Sequence, residues 1–160
     1  MTSPTFGQVS IPGIAEIIRQ RVLSTPGEYH VMIGTDSQNF DKTKVVVVIA
    51  LHHVGRGGIF FYDVSYARRM SNVGQKLLYE TQLSLEYARH LVDTFEDMKE
   101  ATGFDYEKEL SLSIHVDAGE NGPSRQSIPE IVGWVTACGY KVVVKPDSAA
   151  ASAIANKYSK

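Results

Sequence analysis

Val31-Met-Ile-Gly-Thr-Asp-Ser-Gln38 decides the reading of this chain: a short apolar run rises to one carboxylate, Asp36, and then turns polar. An apolar segment of this length between polar flanks reads as a buried strand, which puts Asp36 where the strand surfaces. Because an unpaired carboxylate is costly to bury, Asp36 is expected to be solvated, hydrogen-bonded or holding a cation. The pattern recurs at Leu112-Ser-Ile-His-Val-Asp-Ala-Gly119, where a second strand delivers Asp117 into a glycine-containing loop. Two strand-end aspartates are thereby positioned to meet in one fold.

Working outward, Asn39 to Thr43 reads as a polar turn. Lys44 to Val54 is too rich in β-branched residues to suit a helix. Gly55 to Gly58 then connects it tightly to a strand at Ile59 to Tyr66. Three consecutive strands with short links imply an antiparallel meander. From Gly74 to about Lys99 the period changes to 3.6, with Leu77, Leu78, Thr81, Leu85, Ala88, Val92 and Phe95 on one stripe of a long helix closed by Gly103. Its far end is acidic, with seven Asp and Glu against two Lys over residues 93 to 109, and reads as a solvated surface. Leu110 to Asp117 is the fourth strand. Ser127-Ile-Pro-Glu130 has the form of a capping box, and its helix carries Ile128, Ile131, Val132, Trp134 and Val135 inward up to Gly139. Tyr140 to Lys145 is a fifth strand, and Ser148 to Tyr158 a short last helix. Ahead of all this, Ser10 and Pro12 suit the start of an amphipathic helix bearing Ile14, Ile17, Ile18 and Val22, while Met1 to Val9 shows no pattern of its own.

Composition narrows the function classes. The chain has 160 residues, enough for one domain with a substantial core: residues 1–27 read as an extension and 30–160 as the core. Sixteen Lys and Arg against eighteen Asp and Glu leave 16 − 18 = −2, so a polyanion site must be a local patch rather than a global field. The longest apolar run, Val45 to Leu51, is far short of the roughly 20 residues a membrane helix needs, and Met1 to Gly13 lacks a signal-peptide pattern. Lone Cys138, among apolar neighbours, reads as a packed thiol in a reducing compartment. These features point to a cytoplasmic location with no membrane partner.

The element order β-β-β-α-β-α-β-α resembles the ribonuclease H-like fold: α/β, with a central mixed five-stranded sheet, helices on its faces and, here, an extra N-terminal helix. Ile33-Gly-Thr-Asp-Ser-Gln38, Glu80 through Ser84-Leu-Glu86, His115-Val-Asp-Ala-Gly-Glu-Asn-Gly122, Gly133-Trp134 and Lys145-Pro-Asp-Ser-Ala-Ala-Ala-Ser152 resemble, more narrowly, the bacterial YkuK-like branch of that superfamily. The resemblance implies four acids in set places: Asp36 on the first strand, Glu80 on the long helix, Asp117 at the end of the fourth strand and Asp147 opening the last helix. It also implies a divalent-metal nuclease acting on RNA, an RNA/DNA hybrid or DNA, with Mg²⁺ or Mn²⁺ held as a pair about 4 Å apart. Candidate substrate contacts are Ser37, Gln38, His115, Asn121, Arg125 and Lys145.

The residues by themselves admit other readings. Asp36 and Asp117 are also suited to satisfying backbone amides in turns, and Asp147, just after Pro146, to capping a helix. Between two helix acids, Glu80 lies roughly 100° from the centre of the stripe of Leu77, Thr81, Leu85, Ala88 and Val92, at its border, and Glu86 roughly 140° away, toward solvent. Glu80 is therefore the expected helix ligand. Three functions stay open: a metal-dependent phosphodiesterase, a non-catalytic module binding nucleic acid or a partner, and a nucleotide-phosphate-binding domain like those of actin-like ATPases.

Overall fold

The computed structural model describes residues 1–117 and 127–144. Its elements in chain order are β1 (Thr2–Ser3), β2 (Gly7–Gln8), α1 (Ile11–Ser24), β3 (Tyr29–Asn39), β4 (Thr43–His53), β5 (Gly57–Ala67), α2 (Val73–Thr102), α3 (Tyr106–Glu109), β6 (Ser111–Val116), α4 (Ile128–Ala137) and β7 (Lys141–Val144). The expected last helix lies outside the described residues. The valine-rich β4 pairs antiparallel along its length with β3 on one side and β5 on the other, which is the meander. β6 and β7 continue the sheet parallel to β3.

The mixed α/β architecture agrees with the ribonuclease H-like expectation, but among the described residues the sheet has seven strands, in the order β2-β1-β5-β4-β3-β6-β7, rather than five. The two additional strands come from Met1 to Val9: Thr2 pairs with Gln8 and also with Tyr62 of β5. Strands of two residues have no alternation to read, and what ties them to the sheet, the pairing of Thr2 with Tyr62, spans some sixty positions.

Residues paired across the sheet share a face, so the register divides the side chains into two layers. Val31, Ile33, Ile49, Leu51, Phe61 and Ile114 join α1, α2 and α4 in one core, through residues such as Ile14, Leu91 and Ile131. On the other face Met32, Val46, Val48 and Ala50 form a second buried cluster with Phe60 and Tyr62 against it. Leu91 is fully buried, so Leu91→Ala is expected to cost about 2–5 kcal/mol in denaturant unfolding; a loss below about 1 kcal/mol would place the core elsewhere.

Three local expectations are corrected. Ser127 sits in helical backbone, φ −86° and ψ −10°, and makes no side-chain capping bond, because an N-cap needs extended backbone to aim its oxygen at the first turn. Cys138 is exposed: α4 ends at Ala137 and the chain turns at Gly139, φ 92°, so the thiol lies past the last packed turn. The acidic stretch is not wholly a solvated surface, since Phe104 and Tyr106 are buried in the main core and Tyr106 stacks on Phe95 with ring centres 5.1 Å apart.

Candidate active site

β6 pairs with β3 from His30↔Ser111 to Gly34↔His115. Continuing that register by two residues brings Asp117 level with Asp36. Asp36 is not at the end of its strand, as expected, but inside it, opposite Val46, because β4 keeps pairing with β3 as far as Asn39. Among the described residues β6 stops at Val116, so its ladder with β3 closes just short of Asp36. Asp36 is half-buried there.

Alternation along β3 sends Thr35 and Ser37 to the face that α2 covers. Thr35 Oγ1 and Ser84 Oγ are 2.7 Å apart, and the Ser37 hydroxyl donates to Glu80 Oε2, both in buried surroundings. These polar bonds set the rotation of α2. Its buried residues are Leu77, Glu80, Thr81, Ser84, Ala88, Leu91 and Phe95, whereas Leu78, expected on the inner stripe, is 41% exposed. Glu80 is therefore inside the buried face, not at its border, and Glu86 is exposed, where Gln82 hydrogen-bonds it.

Burial pushes the Glu80 carboxyl up to about 8. Desolvation is the main cause; the negative charges of Asp36 and Asp117 push in the same direction, while the Ser37 hydroxyl and Lys76 oppose it. Carboxyl groups from β3 and the end of β6 thus act on the one that α2 carries. Glu80, His115 and Asp117 line a tight seam with Thr35 and Ser84 that has no room for a water molecule. Hard carboxylate oxygens of this kind suit Mg²⁺ or Mn²⁺. Among the described residues, however, no group of three or more His, Cys, Asp or Glu side chains is arranged to hold a metal ion, and Glu80 is turned to Ser37.

The remaining candidates separate clearly. Ser37, expected at the substrate, is buried beneath the strand as the partner of Glu80. Gln38 is half-buried opposite Lys44. His115 is buried, with Nε2 3.2 Å from Ser113 Oγ. Asn121, Arg125, Lys145 and Asp147 lie outside the described residues.

Comparison with known proteins adds to this geometry. A family model described as Ribonuclease H-like matches residues 13–160. The chain belongs to the ribonuclease H-like family. It is also 30% identical over 161 residues to the uncharacterized protein YkuK of Bacillus subtilis (strain 168), a match covering 96% of this chain and 92% of that protein. No solved structure matches it. Within this ribonuclease H-like chain, β1 and β2 fall before the matched span. The Thr35 and Ser84 pair escaped sequence reasoning. Its signal was present in the helical spacing of Leu77, Thr81, Ser84 and Ala88, which is hidden when only apolar residues are counted.

The Ser37 hydroxyl holds Glu80 down, so Ser37→Ala is expected to move the Glu80 titration midpoint above its present value of about 8, as followed by carboxyl carbon NMR. A midpoint that fell would mean the serine is not acting as a donor.

Proposed function

We propose that this chain is a divalent-metal-dependent nuclease that hydrolyses phosphodiester bonds in RNA, an RNA/DNA hybrid or DNA, with Asp36, Glu80 and Asp117 as its carboxylates and Asp147 as a fourth. What carries the reading is the placing of Asp36 and Asp117 where their charges reach the buried Glu80, whose affinity for its proton is raised mainly by desolvation and further by those two aspartates. A site that strains against its own negative charge is one that a cation relieves. Membership of the ribonuclease H-like family supports a link to nucleic acid.

Asp36, Glu80 and Asp117 would hold the cation, and Ser37 positions Glu80 from below. When bound, the cation supplies Lewis-acid stabilisation of phosphate charge and activation of the attacking water. To join such a site Glu80 must give up its proton and loosen its bond to Ser37, so cation uptake is coupled to proton release. His115, on the same strand as the approach to Asp117, is the neighbouring group suited to orienting it.

Two measurements test this. Mn²⁺ titration calorimetry at pH 7 in two buffers of different ionisation enthalpy should show about one proton released per site filled. Millimolar Mn²⁺ should raise the melting temperature by mass action and support cleavage of a labelled single strand or hybrid. Binding without any cleavage would identify a non-catalytic nucleic-acid module. Neither Mn²⁺ binding nor stabilisation would remove the metal-dependent reading.

A further inference from the structure

The chain is acidic overall, yet one end of the sheet is not. Lys42, Lys44, Arg68 and Arg69 stand against Asp41 in the segments 40–44 and 66–69, a local 4 − 1 = +3 in a chain of net charge −2. The same segments expose two aromatic rings, Phe40 at 51% and Tyr66 at 64%. Positive charge interleaved with exposed rings is the surface on which a single strand is held, its phosphates by the cations and its bases by stacking.

Register ties this patch to the carboxylates. Asp36 pairs with Val46 and Val46 with Val64; two residues further along, Gln38 pairs with Lys44 and Lys44 with Tyr66. Lys44 and Tyr66 are consequently on the Asp36 face of the sheet, about 7 Å further along the strands at about 3.4 Å per residue. The patch is also braced. Thr43, fully buried, donates from Oγ1 to Asn39 Oδ1 at 2.6 Å and accepts from the Met70 amide at 2.9 Å, and Asn39 Nδ2 donates to the Met70 carbonyl at 2.9 Å. The Arg69 guanidinium donates to the Phe40 carbonyl. The turn and the segment leaving β5 thus form one hydrogen-bonded unit, which lowers the ordering cost of binding.

We propose that the turn between β3 and β4, together with the end of β5, is a platform for a single-stranded stretch of nucleic acid leading to Asp36. The inference rests on the nuclease reading for what lies at the end of the platform. Tyr66 and Phe40 stack bases, Lys44 and Arg68 meet phosphates, and Arg69 acts as a positioning residue through Phe40. A rigid duplex keeps its bases from the rings, so the platform selects unpaired strands.

The test is fluorescence anisotropy of the full chain in EDTA, where neither metal nor cleavage contributes, with labelled twelve-residue oligouridine, oligothymidine and an RNA duplex of the same length. Both single strands are expected to bind at least tenfold tighter than the duplex. Tyr66→Ala should weaken binding about tenfold or more while Tyr66→Phe keeps it. Lys44→Gln with Arg68→Gln should reduce the salt slope by about 1.4, at about 0.7 per phosphate contact. Duplex binding equal to single-strand binding, unchanged affinity in Tyr66→Ala, or no binding to any probe overturns the platform. So does a dimer in sedimentation that Tyr66→Ala dissociates, which would make the patch a contact between copies. Strand binding in EDTA with no Mn²⁺-dependent cleavage would leave the platform standing and remove the nuclease reading.

Discussion

Glu80→Gln is expected to raise the melting temperature at pH 9 by roughly 10 °C and to change it little at pH 5, both in EDTA. The folded protein holds the Glu80 carboxyl at about 8 against an ordinary value of 4.5. Between those two values the folded state binds more protons than the unfolded state, so stability falls as pH rises. The contribution is fully present below pH 4.5 and is lost as pH passes through about 8. A gap of that size, at about 1.4 kcal/mol per pH unit, comes to on the order of 5 kcal/mol, and a domain of this size gains roughly 2–4 °C per kcal/mol. Glutamine keeps the shape and the oxygen that accepts from Ser37 but never ionises. Scanning calorimetry at the two pH values checks this. An equal shift at both would mean that packing, not charge, is responsible, and a loss of stability at pH 9 would show that the charged carboxylate is welcome where it lies.

Asp36→Asn is expected to keep the fold and to lower Mn²⁺-dependent cleavage by at least about 100-fold, with Mn²⁺ affinity falling in parallel. The substitution is close to isosteric, and its position opposite Val46 in the middle of a paired strand leaves the ladder unchanged. Removing the Asp36 charge also removes one of the influences that raise Glu80. The titration midpoint of Glu80 should therefore drop below its present value of about 8 in the same variant. A midpoint that stayed at about 8 would mean that the Asp36 charge does not act on Glu80. Unaltered cleavage together with a lowered midpoint would keep the three carboxyl groups together and take Asp36 out of the chemistry.

Glu80 and Glu86 show how far helical periodicity reaches. A period of 3.6 is set by local geometry, so the inner and outer sides of α2 could be told apart well enough to send Glu86 to solvent. The exact rotation was another matter. Counting apolar residues drew Leu78 inward, whereas the bonds from Thr35 and Ser37 of β3 turn Ser84 and Glu80 to the sheet and leave Leu78 outside. Hydrogen bonds between residues more than forty positions apart leave no local trace.

By itself the amino-acid sequence determined the meander, the long helix with its close at Gly103, the existence of the fourth and fifth strands and, through its motifs, the ribonuclease H-like family. Each of these follows from short-range patterns: β-branched runs, helical spacing, a glycine that adopts φ 78° at a helix end. Only the tertiary structure decided that Asp36 lies within its strand, that Met1 to Val9 extends the sheet and that Glu80 is buried against Ser37. Those features arise where one strand outlasts its neighbour, where an edge accepts a distant segment and where desolvation acts on a carboxyl. Each is a property of what surrounds a residue in space, and the spacing of residues along the chain does not carry it.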